Sequence, residues 1–266
     1  AVEAADQFAR VNGRITAVQL LTQIPVGLVA TALFPIGGYV VVGWVSVGCC
    51  LAAAALASRL PEAPRSHDEE AARYLATLRA GIVQVVSSRS VAIPIVAVAT
   101  LGAVEAVEEY FPIVLDELGM PTVIVPIALL AVSLAGAVGS MLAGAAAGLR
   151  PITLSVLLAI AAAALAVTGM VHRPVALVGV AVFYGLYRMV LVVVEARLQD
   201  RIPSAARATV TSIAGVGIEV VGIGVMGMWA VAGAPVVGAS VVLLAVFLAW
   251  ALWQGAATRT AVPPSR

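Results

Sequence analysis

The sequence predicts an all-α polytopic membrane protein of about eight transmembrane helices, and three observations carry that expectation. Hydrophobic residues make up 62% of the 266, charged residues only 11%, and mean hydropathy is +1.08. A soluble domain of this length cannot hide so much apolar surface, whereas a helical membrane protein need not. The apolar residues also fall in runs of about twenty, enough for an α-helix to cross the hydrocarbon core. Finally, the arginines concentrate in alternate loops, as the positive-inside rule requires of a chain that crosses back and forth.

The opening AVEAADQFARVNGR is polar and helical in pattern, and matches neither a signal peptide nor a targeting sequence. A chain that begins in mid-pattern reads as a piece of something longer. Eight spans follow, at 14–34, 36–58, 91–115, 123–148, 151–170, 175–195, 208–231 and 235–253. Pro35 separates the first two. Cys49 and Cys50 are adjacent inside the second, a poor arrangement for bridging each other, and read as small packing residues. The long break comes at 59–89. There Asp68 can cap a helix whose apolar stripe includes Ala72, Leu75, Leu78 and Ile82, an amphipathic helix for the interface and too charged to cross. The remaining turns on the opposite side, at 116–122, MVHRP and AGAP, leave no room for an extracellular domain.

The side shared by the two termini and the loops after spans two, four and six holds every arginine except Arg173 and Arg188. Both termini and the long linker are therefore expected in the cytoplasm. All fifteen basic residues are arginine, which with the Ala, Val and Gly load suggests a GC-rich bacterial coding sequence.

Individual helices carry finer signals. Gly136, Ser140, Gly144 and Gly148 recur every four residues on the fourth span, a small-residue ridge on which another backbone can approach closely. It reads as tight static packing or as a sliding surface. In the third span, GAVEAVEEYFP places Glu105, Glu108 and Glu109 at i, i+3 and i+4, on one side of an α-helix. Counted from Val91 at 1.5 Å per residue, Glu105 lies roughly 21 Å along the axis, in the outer half of the membrane. Acids gathered there suit a proton carrier, although Glu108 and Glu109 are also near enough to the membrane edge to be simply solvated. Arg188 on the sixth span, flanked by Tyr184 and Tyr187, needs a counter-ion or water at its depth. Glu219 on the seventh is its nearest partner by depth. The two read either as a structural salt bridge or as a substrate- or proton-linked site, facing the protein interior in both cases.

Function classes are narrowed by what the sequence lacks. There is no phosphate-binding glycine loop, no GxSxG and no HExxH; His67 and His172 have no partner at ligand spacing. The expectation is neither an enzyme nor a cofactor binder, and the net charge of +1 gives no nucleic-acid footprint.

Two spans, a long basic linker and six further spans resemble the major facilitator superfamily with its first four helices missing. More specifically, EARLQDRIPSAARATVTSI at 195–213 resembles the cytoplasmic turn between the tenth and eleventh helices of those transporters. FARVNGRITAVQLLTQIPVG resembles entry into the fifth helix, and LPEAPR the exit from the sixth. The family's G-x-x-x-D-R-x-G-R loop is represented at 144–151 by GAAAGLRP, which keeps only Arg150. The resemblance implies that 1–58 holds the last two helices of the first half and 59–90 the cytoplasmic linker. The complete six-helix second half would then occupy 91–254, with a cytoplasmic tail at 255–266. It implies a secondary transporter working by alternating access in the plasma membrane, exporting a small molecule at the expense of a proton gradient. Glu105, Tyr184, Tyr187, Arg188 and Glu219 would line the cavity with Glu109 near its outer end, and Glu105 and Glu219 would carry the proton. Arg188 would hold an anionic substrate group or tune the acids. The missing helices would come from the same protein or from a partner chain. The competing expectation is a non-transporting scaffold or truncated remnant that needs such a partner.

Overall fold

A computed structural model describes residues 2–59, 89–121, 124–171, 173–199 and 207–260. The expected amphipathic linker helix, His67, His172 and most of the arginine-rich turn before Arg207 lie outside the described residues, as does the end of the tail. What is described is helical, with no strand among the described residues. The helices are α1 (Val2–Ala57), α2 (Arg89–Ala103), α3 (Phe111–Glu117), α4 (Val125–Ala146), α5 (Pro151–Thr168), α6 (Leu177–Gln199) and α7 (Arg207–Thr260). A 3-10 segment, Val104–Tyr110, joins α2 to α3, and a shorter one, Pro174–Ala176, leads into α6. Five helices among the described residues are long and apolar enough to cross a membrane, and the chain is a polytopic helical membrane protein.

Two of the expected turns are sharp kinks at non-helical glycines, each joining two helical stretches without an intervening loop. The apolar stretch Val210–Ala251 in α7 has 42 residues, about 63 Å as a straight helix and twice the hydrocarbon thickness. It bends at Gly233 (φ 68°), two residues before Pro235 and within the expected AGAP turn. In α1 the expected break at Pro35 falls slightly later, at Gly37 and Gly38, where Gly38 takes φ 58°. Each proline withdraws a backbone donor and crowds the preceding turn. The chain yields at the nearby glycine because only a residue without Cβ enters the left-handed region cheaply.

The expected third span is not one α-helix. Residues 89–103 are α-helical, 104–110 tighten to 3-10, and α resumes at Phe111 with Pro112 near its start. Proline at 112 cannot donate to the Glu108 carbonyl; that oxygen instead accepts from the Phe111 N–H in the i→i−3 pattern of a 3-10 turn. A sequence of helix formers with one late proline hides this change of winding.

Helix α6 runs through the centre. Of its apolar window 61% is buried, and Met189 to Val194 are buried on every side. It packs against α4, α5, α2 and the first half of α1, while α7 packs on α2 with its first half and on α5 with its second. Residues 43–57 of α1, by contrast, are exposed throughout. Cys49 and Cys50 sit there, both exposed, so the packing role their apolar surroundings suggested has no partner among the described residues.

Small residues set the closest approaches, as they must where lipid offers no hydrophobic drive for helix association. On α4, Gly136 lies against Tyr184 and Leu20, Ser140 against Gly13, and Gly144 against Arg10, so this ridge receives α1; Gly148 has open space beside it. A second face of α4 meets α6, where Gly139 abuts the backbone of Gly185 and Gly185 abuts Ala135. A Cβ at 139 would strike the Gly185 carbonyl oxygen, which is backbone with little freedom to yield. Gly139→Ala should therefore cost about 1–3 kcal/mol of overpacking, read as a lower melting temperature in detergent, with Gly148→Ala unaffected. Equal melting of the two variants would mean α4 and α6 are farther apart than described.

Candidate functional site

Arg188 is the centre of the site because its position on α6 buries a charge. It is 7% exposed, in a helix whose neighbours are mostly valine and leucine. Its Nη1 donates to Oε1 of Glu105 on the 3-10 segment, and the two form an ion pair. One turn away on α6, the Tyr184 hydroxyl donates to Oε2 of Glu108 at 2.6 Å. The Arg188 guanidinium carbon lies 5.9 Å from the centroid of the Tyr184 ring, within cation–π range. Two acids of the 3-10 segment are thus matched to two side chains of α6. The Arg188 Nε is buried and has no hydrogen-bond partner among the described residues.

The winding of the 3-10 segment explains why these two acids are chosen. At three residues per turn, positions i and i+3 eclipse, so Glu105 and Glu108 stand in one row. Glu109 is rotated a third of a turn from them and is exposed. The three acids therefore do not stand in one row, although all three border the same cleft.

Along the segment, toward α7, lies an open cleft of roughly 370 Å³. Glu105, Glu108 and Glu109 line it together with Glu219, Gly222 and Met226. Glu105 is 46% exposed there while its partner Arg188 is buried, so the ion pair is open on its acid side and closed on its basic side. Glu219 is exposed and shares the cleft with Glu105, but Glu105, not Glu219, is the counter-ion of Arg188. The reason lies in the packing: α7 docks mainly on α2 and α5 rather than on α6, so the arginine of α6 meets the acid of the segment between them. Tyr187 is fully buried and is not in the lining of the cleft; its hydroxyl donates to the Leu101 carbonyl at 3.1 Å.

A second polar seam, not expected from the sequence, joins α1 to α4 and α6. Asn12 donates from Nδ2 to Oε2 of Glu195 at 3.1 Å, and the Ser133 hydroxyl donates to Oε1 of Gln23 at 2.6 Å. Asn12 and Gln23 are eleven residues apart, about three helical turns, and so share a face. That spacing was the available signal; Glu195 was hidden in the turn motif. Arg197 closes the neighbouring end of α4 by donating to the carbonyls of Ala147 and Leu149. Asn12→Ala would leave the half-buried Glu195 carboxylate without its donor, a loss of about 1–3 kcal/mol. Adding Glu195→Gln should recover most of it. If the melting temperature of Asn12→Ala equals that of the parent, the bond contributes nothing to the seam.

A family model described as Major Facilitator Superfamily matches residues 3–227, a stretch that contains Asn12, the 3-10 segment, Arg188, Glu195 and Glu219. No curated protein and no solved structure matches the chain.

Proposed function

We propose that this chain, which belongs to the Major Facilitator Superfamily, couples proton movement to export of a small molecule across the plasma membrane by alternating access. Members of the family are membrane transporters rather than enzymes, and their substrates are small molecules; the direction, the proton and the membrane are our reading. The observation that carries it is the half-open ion pair of Arg188 and Glu105, beside Tyr184 and Glu108, on a cleft between helices that cross a bilayer. Ionisable side chains at such depth are expensive and mark ion or substrate paths.

The chemistry follows from the asymmetry of the pair. A proton that reaches Glu105 through the cleft neutralises the acid and ends its attraction for Arg188. The guanidinium fork, still charged, is then free for an anionic group of the substrate. When the proton leaves, Glu105 reclaims the arginine and the substrate group is displaced. The Glu105 carboxylate and the anionic group thus alternate at one arginine, so the substrate is held while Glu105 is protonated and leaves together with the proton. Glu219 shares the cleft and serves as the second proton carrier, with Glu109 at its margin. In this arrangement both termini are cytoplasmic, as the arginine distribution favours. Residues 1–58 hold the last two helices of the first half, 59–90 the linker, and 91–254 the second half. The decisive experiment is proton-driven flux in the complete transporter carrying Glu105→Gln, taken up below.

A further inference from the structure

A second cavity lies along the same seam, between α3 and the kink of α7, toward the Gly233 turn. It measures roughly 410 Å³ and is lined by Tyr110, Glu117, Thr168, Trp229 and Pro235 among others. The acidic cleft lies farther down the seam, with Met226 in its wall. Between the two stands one pair of rings. Tyr110, the last residue of the 3-10 segment, stacks on Trp229 of α7 with centroids 5.1 Å apart and an interplanar angle of 20°. Its hydroxyl reaches down to donate to the Met226 carbonyl at 2.9 Å. Tyr110 and Trp229 therefore form the lower lining of one cavity, and the residue that anchors Tyr110 lines the other.

We infer that the Tyr110–Trp229 stack is a gate between a vestibule at the Gly233 end and the acidic cleft. The two rings belong to different elements, so separating those elements opens the gate without disrupting either helix. What holds it shut is small: one aromatic contact and one hydrogen bond to a carbonyl of α7. Gly233, whose φ of 68° tolerates a change of direction, lies four residues beyond Trp229, and α3 begins immediately after Tyr110. Both partners thus sit where their elements change course. Serving as a step in transport depends on the function proposed above; acting as a barrier between two cavities does not.

The test uses thiol labelling, which needs no transport. Cys49 and Cys50, both exposed, are first replaced by alanine. One reporter, Ala230→Cys, is placed in the vestibule and another, Gly222→Cys, in the cleft, where a Cβ meets Ala106 at an ordinary 3.8 Å. A bulky membrane-impermeant maleimide is applied to intact cells and to inverted vesicles. The side on which position 230 reacts identifies where the vestibule opens. From that side, position 222 should react slowly in the parent. With Tyr110→Ala and Trp229→Ala together it should react about tenfold faster, the size set by losing one ring contact and one hydrogen bond, while position 230 keeps its rate. Trp229→Leu, which retains apolar bulk without the stacking ring, carries the same test should the double variant fail to assemble. Equal rates at 222 in parent and variant, or a parent in which 222 already reacts as fast as 230, would overturn the gate. Either result leaves the role of Glu105 untouched, and loss of flux in Glu105→Gln with unchanged labelling leaves the gate untouched.

Discussion

Glu105→Gln in the complete transporter is expected to reduce proton-driven flux to the background of membranes without the protein. Glutamine fills the same volume and can still accept a hydrogen bond from Arg188, but it cannot take up or release a proton. Arg188 is then held permanently in the state that a protonated Glu105 gives it, and the alternation between carboxylate and anionic group stops. The variant should retain binding of an anionic substrate, measured at equilibrium, while failing to concentrate it. Flux is normalised to folded protein, because Arg188 loses its charged partner and stability falls. Glu105→Asp, which keeps the proton, should recover part of the flux. Undiminished flux in Glu105→Gln would remove this acid from the coupling mechanism and leave Glu219 as the candidate.

The second large effect concerns stability and has a built-in asymmetry. Breaking a buried pair by removing one partner typically costs 3–5 kcal/mol, because the other charge is left uncompensated. Here the partners differ: Arg188 is buried, whereas Glu105 is nearly half exposed. Glu105→Gln leaves the buried charge behind and should approach that range. Arg188→Ala leaves the exposed one, so its electrostatic penalty is smaller, although it also loses packing around Tyr184. The rescue pattern is diagnostic. In an Arg188→Ala background, adding Glu105→Gln should raise the melting temperature again, and adding Glu219→Gln should not. Rescue by Glu219→Gln alone would mean that α7 rather than the 3-10 segment supplies the counter-ion.

These predictions mark where the sequence stops being legible. Apolar length and the placement of arginine are properties of a line, so helices and turns can be read from them, including the bends near Pro35 and Pro235. Arg188, Glu105 and Glu219 were likewise visible as ions where ions are costly. Their pairing was not, because it depends on which helix lies between which. Arg188 and Glu219 sit on consecutive spans at similar depth, yet α7 turns to α2 and α5. Glu195 escaped notice because its partner Asn12 is 183 residues away. The contact of Gly139 with Gly185 escaped for the same reason: a four-residue ridge is a pattern on one helix, whereas a close approach needs two. Cys49 and Cys50 show the opposite case, apolar neighbours taken for packing on a helix segment with nothing beside it among the described residues.

The 3-10 segment also acts as a spacer. Each of its residues advances the chain about 2.0 Å instead of 1.5 Å, so Tyr110 stands about 3 Å higher than an α-helical segment would carry it. The segment and the first half of α7 run parallel, Gly102 lying against Ile218 and Ala106 against Gly222. On α7, 3 Å is two residues of rise. Wound as an α-helix from Val104, the same sequence would set Tyr110 that much lower and turn it about a third of the way round the axis, out of line with Trp229. The tight winding is what brings the tyrosine level with Trp229, so the pitch of seven residues determines whether the two cavities are separated at all.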